Sequence, residues 1–290
     1  MESHSPLELG RANLGQKTRL ILLSARGRIR PDGNMIDNAS KIKQAFEEPQ
    51  WYLQKTAFNI AIRVETVREY ITGPHESILD IGCGDGSLSA GLINGQNRLT
   101  LVDQSQTMLG IARARIPEAL LSRVQTINAS FMDAPLEAQS FDLILCVGVL
   151  AYVERRRDFI AKIKSLLRPG GSLIIECTDS RHFVSHLVVA YSKFRNWMNP
   201  GRMRTVLGSS ADLLAICRDL GFELCGSFRY SMQMPIVSKI MSGKVTYKSV
   251  RYIFGTAAHN RNSSLGNECI YHFKHPGESA SAAGKAGLIH

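Results

Sequence analysis

Residues 78–86 read Ile-Leu-Asp-Ile-Gly-Cys-Gly-Asp-Gly, an apolar run that passes into a glycine-rich turn with Asp80 at its start. Glycines at 82, 84 and 86 leave no side chains where a strand hands over to the next element. A ligand can then lie against bare backbone N–H groups at a helix N-terminus. A second acid, Asp103, ends the next apolar run, Leu99–Val102. An acid roughly 20 residues past a glycine turn is the usual partner of a ribose diol. Together these features point to a nucleoside-bearing cofactor. Spacing argues against two other nucleotide chemistries. The dinucleotide fingerprint needs its third glycine three positions after the second, and Ser87 stands there. No Gly-Lys-Ser/Thr follows the turn, so it is not a triphosphate loop.

Other residues with chemical potential are more scattered. His182 and His186 lie one helical turn apart, a spacing that suits two metal ligands, but no third ligand is evident. His182 is a candidate proton acceptor, and an ordinary core or surface histidine is the bland alternative. The six cysteines lie far apart with no paired spacing, as reduced core thiols do, and make neither a disulfide frame nor a zinc site. No metal site is expected.

The glycine turn resembles motif I of the class I S-adenosylmethionine-dependent methyltransferases, an acid-x-Gly-x-Gly-x-Gly turn. That cofactor has no phosphate but carries an amino acid end, and Asp80 then suits an ammonium group. The resemblance continues in order along residues 78–175. Asp103-Gln104-Ser-Gln-Thr-Met108 is similar to the second motif, whose acid takes the ribose hydroxyls. Asn128-Ala-Ser130-Phe131 is similar to the third, where a hydroxyl stands in for the usual acid at adenine. Phe141–Val153 and Leu167–Ile175 resemble the fourth strand with its following loop and the turn into the fifth strand. The resemblance implies cofactor contacts from Tyr52, Asp80, Gly82, Cys83, Gly84, Gly86, Asp103, Gln104, Met108, Ser130, Phe131, Cys146 and Val147. It places Tyr152, on the loop after strand four, at the acceptor side. Many relatives have a histidine one residue earlier, where this chain has Ala151. Asp142 reads as a structural cap at the start of its strand. The layout is that of the ubiquinone/menaquinone-biosynthesis type.

The elements that must hold these residues alternate. A helix with Ile60, Val64, Val67 and Ile71 on one face stops at Gly73-Pro74. Strands at 78–81, 99–102, 124–127, 141–147 and 173–177 follow, with helices expected from about Ser87, over 105–116 and before Pro169. Strand–helix alternation demands a parallel sheet, with the ligand at the carboxyl ends of the strands. Phe222–Tyr230 and the alternating Glu268–Phe273 supply a sixth strand and an antiparallel closing strand. The fold class is therefore α/β, a doubly wound Rossmann-like seven-stranded sheet, mostly parallel, with substrate-cover insertions at about 181–208 and 231–265, the second irregular and basic. Residues 1–40 read as an N-terminal arm, 41–275 as the methyltransferase domain and 276–290 as a disordered tail.

The chain has 290 residues, 44% of them hydrophobic, and a formal net charge of +10. Residues 1–180 hold 21 Lys+Arg against 20 Asp+Glu; residues 181–290 hold 14 against 5. Such a field suits an anionic or lipid-like acceptor or peripheral contact with a membrane, and solubility alone explains it equally well. No apolar run is long enough to span a bilayer, and a cytoplasmic location is expected. The reading is methyl transfer from S-adenosylmethionine, with S-adenosylhomocysteine as product, to a small-molecule or carrier-linked acceptor by in-line displacement. RNA or protein methylation is the alternative enzyme, although the loop after strand four lacks an Asn/Asp-Pro-Pro-aromatic signature and nucleic acid is not expected. A non-catalytic cofactor-binding scaffold is the third reading.

Overall fold

The computed structural model describes residues 57–186, 208–231 and 243–277. The first helix, α1 (Ala57–Tyr70), precedes the strands β1 (Ser77–Ile81) and β2 (Arg98–Asp103). Helix α2 (Gln106–Ala114), β3 (Val124–Asn128), β4 (Phe141–Cys146), α3 (Arg156–Leu166) and β5 (Leu167–Thr178) follow. Then come α4 (Ser210–Asp219), β6 (Glu223–Tyr230), α5 (Gly243–Phe254) and β7 (Glu268–Lys274). The sheet order is β3-β2-β1-β4-β5-β7-β6. Strands β1 to β5 pair in parallel, and β7 runs antiparallel to both β5 and β6. Strand order reverses between β1 and β4, which is where a ligand binds in such sheets. The expected α/β, doubly wound, seven-stranded architecture with an antiparallel closing strand is the one observed.

Two apolar layers explain the patterning. Leu79, Ile81, Ile144, Leu173 and Ile175 face α3 and α4, through Phe159, Ile160, Ile163, Leu213 and Cys217. Ile78, Leu99, Leu101, Leu143, Leu145 and Ile174 face α1, α2 and α5, through Ile62, Val67, Leu109, Ala112, Val250 and Phe254. Central strands covered on both faces read as near-continuous apolar runs, as Leu-Ile-Leu-Cys in β4 does.

Three details differ from expectation. No helix forms from Ser87: residues 82–92 are turns, held by bonds such as Ala90 N–H to the Gly86 carbonyl. Just beyond, the Asn94 and Asn97 side chains capture backbone groups. Asn97 Oδ1 accepts from Asn94 N–H at 2.8 Å, and Asn94 Oδ1 accepts from Gln96 and Asn97 N–H. Such side-chain bonds compete with a helix. The segment read as irregular, 231–265, contains α5, whose Arg251 pairs with Glu65 and Glu69 of α1. On α1, the fully buried residues are Ile62, Thr66 and Val67, while Ile60 and Val64 are half-buried. The helix is rotated so that Arg63 reaches the sheet.

All six cysteines are free thiols; Cys225 is exposed and the others are buried. Among the described residues, no helix is long and apolar enough to cross a membrane, and no cluster suited to a metal ion is present.

Asp142 behaves as the expected cap. It accepts from Glu76 N–H at 2.7 Å and from Ser77 N–H at 3.2 Å, fixing the start of β1. Asp142→Ala should cost about 1–3 kcal/mol, read as a lower urea midpoint with an unchanged slope.

Candidate functional site

The glycine turn leaves β1 beside the end of β2. Gly82 and Cys83 N–H both donate to the Val102 carbonyl, at 2.8 and 3.1 Å. Gly82, Gly84 and Gly86 all have positive φ, +63°, +53° and +72°. Two of them are also packing contacts: an added Cβ at Gly82 would stand 2.6 Å from Val149 Cγ2, and at Gly86 2.8 Å from Ala112 Cβ. Gly84 differs, since its nearest neighbour would be Met108 Cε at 3.8 Å. A side chain there would enter open space above Met108, so Gly84 is the bare face of the turn.

Asp103 ties this turn to α2. Its Oδ2 accepts from Gly84 N–H at 2.9 Å and its Oδ1 from Ser105 N–H at 2.9 Å. Ser105, not Asp103, caps the helix, accepting from Met108 N–H at 3.1 Å. Asp85, which sequence reasoning passed over, accepts from Ser87 and pairs with Arg115 just past α2. That contact joins residues 30 apart in sequence. No local signal marks it.

Asp80 lies beneath the turn and is 1% exposed. Its Oδ2 has no hydrogen-bond partner. Burial pushes its carboxyl up to about 7; the Ser89 hydroxyl opposes the shift, and the charges of Asp103 and Asp85 add to it. Ser89 Oγ itself lacks hydrogen-bonding geometry to any group. Burial, with Asp80 and Asp103 next, also raises the Cys83 thiol. A buried carboxyl oxygen without a donor, next to an open glycine face, suits a ligand with a cationic group. With no helix behind the turn, a helix dipole does not supply the attraction.

The remaining expected residues divide. Gln104 is exposed at the rim, and Ser130 is half-buried on the loop after β3. Met108, 1% exposed, forms the floor near Gly84. Phe131 is a core residue: its ring packs on Phe159 at 4.7 Å, and Lys162 lies over it at 5.1 Å while donating to the Phe131 carbonyl. Cys146 and Val147 are also buried in the two core layers, so only their backbone reaches the strand ends. Burial raises the Cys146 thiol well above its ordinary range. Tyr52 lies outside the described residues, as do residues 1–40, most of the first expected cover segment and residues 232–242 of the second.

Tyr152 is half-buried on a 3₁₀ turn, Leu150–Tyr152, beyond β4. Burial raises its hydroxyl, and the Arg63 charge opposes this. His182 does not join it. Its Nε2 lies 2.8 Å from the Ser264 carbonyl, which requires Nε2–H as donor, and Nδ1 accepts from Val184 N–H at 3.3 Å. Both ring nitrogens are thus committed to backbone, and neither can take a substrate proton. His182 fastens the chain after β5 to the loop before β7.

A polar cleft lined by His75, Glu76, Asn94, Gln96 and Asp142 lies at the amino ends of the strands, away from the glycine turn.

Comparison with known proteins matches residues 79–175 to a family described as a methyltransferase domain. A ubiquinone biosynthesis O-methyltransferase of Coxiella burnetii is 30% identical over 129 residues, 43% of this chain and 53% of that protein. The mitochondrial enzyme of that name from Schizosaccharomyces pombe is 32% identical over 126 residues, 43% of this chain and 45% of that protein. The chain thus spans about half the length of these curated relatives. In fold it is similar to a possible histamine N-methyltransferase from Thermotoga maritima, with TM-score 0.58, 18% identity, 81% of this chain and 99% of that one covered. It is also similar to a magnesium protoporphyrin IX methyltransferase from Synechocystis with bound S-adenosylhomocysteine, with TM-score 0.58, 16% identity, 82% and 100% covered.

The glycines predict a contrast. Gly82→Ala meets both strain and a clash and should cost about 1–3 kcal/mol from overpacking alone, read as a depressed melting temperature. Gly84→Ala meets only backbone strain and should unfold at a temperature nearer the wild type, while filling the open face.

Proposed function

We propose, from a chain whose residues 79–175 form a class I S-adenosylmethionine-dependent methyltransferase domain, that the protein transfers a methyl group to a small-molecule acceptor. The observation that carries the assignment is the pairing of the orphaned Asp80 oxygen with the open face at Gly84. A cofactor with an ammonium group and no phosphate fits both.

When bound, S-adenosylmethionine supplies an activated methyl group on a sulfonium centre. The chain's own residues bind, orient and exclude water. Asp80 takes the ammonium group. The turn from Gly82 to Gly86, including Cys83, supplies a surface without side chains. Asp103, already oriented by Gly84 and Ser105, takes the ribose hydroxyls, since an ionised carboxylate offers about four acceptor sites. Gln104, Met108 and Ser130 border adenine. Tyr152 stands at the acceptor side. Holding nucleophile and methyl in line supplies on the order of 7–11 kcal/mol of the barrier reduction.

The names of the Coxiella and yeast relatives support an oxygen acceptor on a quinone-like ring. The excess of basic residues beyond 180, with exposed Phe183 and Leu265 near the end of β5, supports an acceptor presented at an anionic lipid surface.

Three measurements test the assignment. Calorimetry should show S-adenosylhomocysteine binding, with NAD silent, and labelled methyl should pass from S-adenosylmethionine into a metabolite extract. Asp103→Ala should weaken cofactor binding by about 1–3 kcal/mol, and unchanged affinity would remove Asp103 from the ribose role. The pH dependence has a defined sign. Below about 7 Asp80 carries a proton, which the incoming ammonium must displace. Affinity for S-adenosylhomocysteine should therefore rise as pH approaches about 7 and level off above it. Asp80→Asn should flatten the curve.

A further inference from the structure

Two more carboxylates lie on the α1 face of the sheet. Glu176 of β5 and Glu268, which opens β7, are 3% and 2% exposed. Thr178 stands opposite Glu268, and Glu176 opposite Ile270. Asp179 N–H donates to the Asn267 carbonyl at 2.7 Å, which marks 179/267 as a hydrogen-bonded pair. The adjacent Thr178/Glu268 pair is then of the non-hydrogen-bonded type, whose side chains stand close together. Thr178 Oγ1 indeed donates to Glu268 Oε2 at 2.8 Å. Glu176 is the diagonal neighbour of Glu268 on the same face, within reach of long side chains.

Three elements close this pair. Arg63 of α1 pairs with Glu176: its Nε donates to Oε1 at 2.9 Å, and its Nη2 stands 2.7 Å from Oε2 as an ion pair without hydrogen-bond geometry. Tyr230, the register partner of Glu268 in β6, donates its hydroxyl to Glu176 Oε1 at 2.9 Å. Two buried carboxylates thus share one guanidinium. The groups that act on Glu268 are Arg63 from α1, Glu176, Thr178 and Cys177 from β5, Tyr230 from β6, and its neighbour Cys269. Burial pushes Glu268 up to about 8, the Glu176 charge adds to this, and Thr178 and Arg63 oppose it. Burial and the Glu176 charge thus favour the protonated form of Glu268. Arg63 also passes Gly148, whose added Cβ would stand 3.5 Å from Nη1, and its charge acts on Tyr152. The cluster is therefore joined to the loop where the acceptor is expected.

Resting on the methyltransferase reading above, we propose that Glu268 and Glu176, clamped by Arg63, form the proton-accepting centre for the acceptor's reacting group. Such a site fits a nucleophile that sheds a proton on methylation: a hydroxyl, a phenol or a neutral primary or secondary amine. The acceptor oxygen or nitrogen bonds to the methyl carbon as the carbon–sulfur bond breaks and sulfur keeps the electron pair. The proton left on the acceptor passes to the ionised form of Glu268 and then to solvent. Arg63 is a positioning residue that sets the proton affinity of the pair.

Two readouts on the full chain test this. Infrared titration should show a protonated-carboxyl band that fades as pH rises through about 8 and is missing in Glu268→Gln, distinct from the Asp80 band that fades at about 7 and persists in that variant. A wild-type protein without that band overturns the proposal, whatever the chain methylates. In the extract assay with labelled S-adenosylmethionine, the wild-type rate should climb through the same region. Glu268→Gln should lower it about 100-fold or more and abolish the climb, with S-adenosylhomocysteine affinity unchanged. Arg63→Met should move the climb to higher pH, and Arg63→Lys should restore it; a merely structural arginine would leave the profile in place. Identical profiles for wild type and Glu268→Gln also overturn the proposal. If the wild type fails to bind S-adenosylhomocysteine, the methyltransferase reading falls instead, and the infrared band alone decides the proton pair.

Discussion

One carboxylate holds two loops in register. Asp103 spends one oxygen on the Gly84 amide and the other on the Ser105 amide, so the glycine turn and the start of α2 cannot move independently. Hydrogen bonds to an ionised acceptor are about twice as strong as neutral ones, which suits a turn that has no helix behind it. The contact also leaves Ser105 to cap α2 and keeps Gly84 with its bare face outward. Asp85, paired with Arg115, adds a second tether to the far end of the same helix. The open face exists because both tethers act from the opposite side.

Charge is distributed unequally around this frame. Asp85 has an arginine, whereas a buried oxygen of Asp80 has no hydrogen-bond partner. A buried acid in that position suits a cation brought by a ligand. Further along the same sheet face, Glu176 and Glu268 draw on Arg63 alone for positive charge among the groups that act on Glu268. The antiparallel β7 makes that arrangement possible. Its first residue, Glu268, stands beside the last residue of β5, Thr178. A parallel strand would have placed Glu268 at the opposite edge of the sheet, far from the loop after β4.

Much of this was legible in the residues. The strands announce themselves as apolar runs, the turn as three glycines behind an acid, and the order of motifs as a doubly wound sheet. The position of Asp142 at the start of β4 was enough to mark it as a cap. Elsewhere the side chains follow contacts that lie far off in sequence. Phe131, Cys146 and Val147 sit in or next to site motifs, but their side chains were claimed by the two core layers. His182 looked available because the Ser264 carbonyl that binds it lies 82 residues away. The segment from Ser87 forms turns instead of the expected helix, and the Asn94 and Asn97 side chains take the backbone groups that follow it.

The sequence by itself determined the cofactor end. Glycine φ preference, an acid at a strand terminus and the strand–helix alternation are local properties, and local chemistry decides them. The buried carboxylate cluster was decided by the tertiary structure. Arg63, Glu176, Tyr230 and Glu268 come from four elements, and their meeting depends on sheet register and on the rotation of α1. One charged residue inside Leu-Ile-Ile-Glu-Cys was the sole hint, because an acid costs too much in a buried strand unless something distant compensates it.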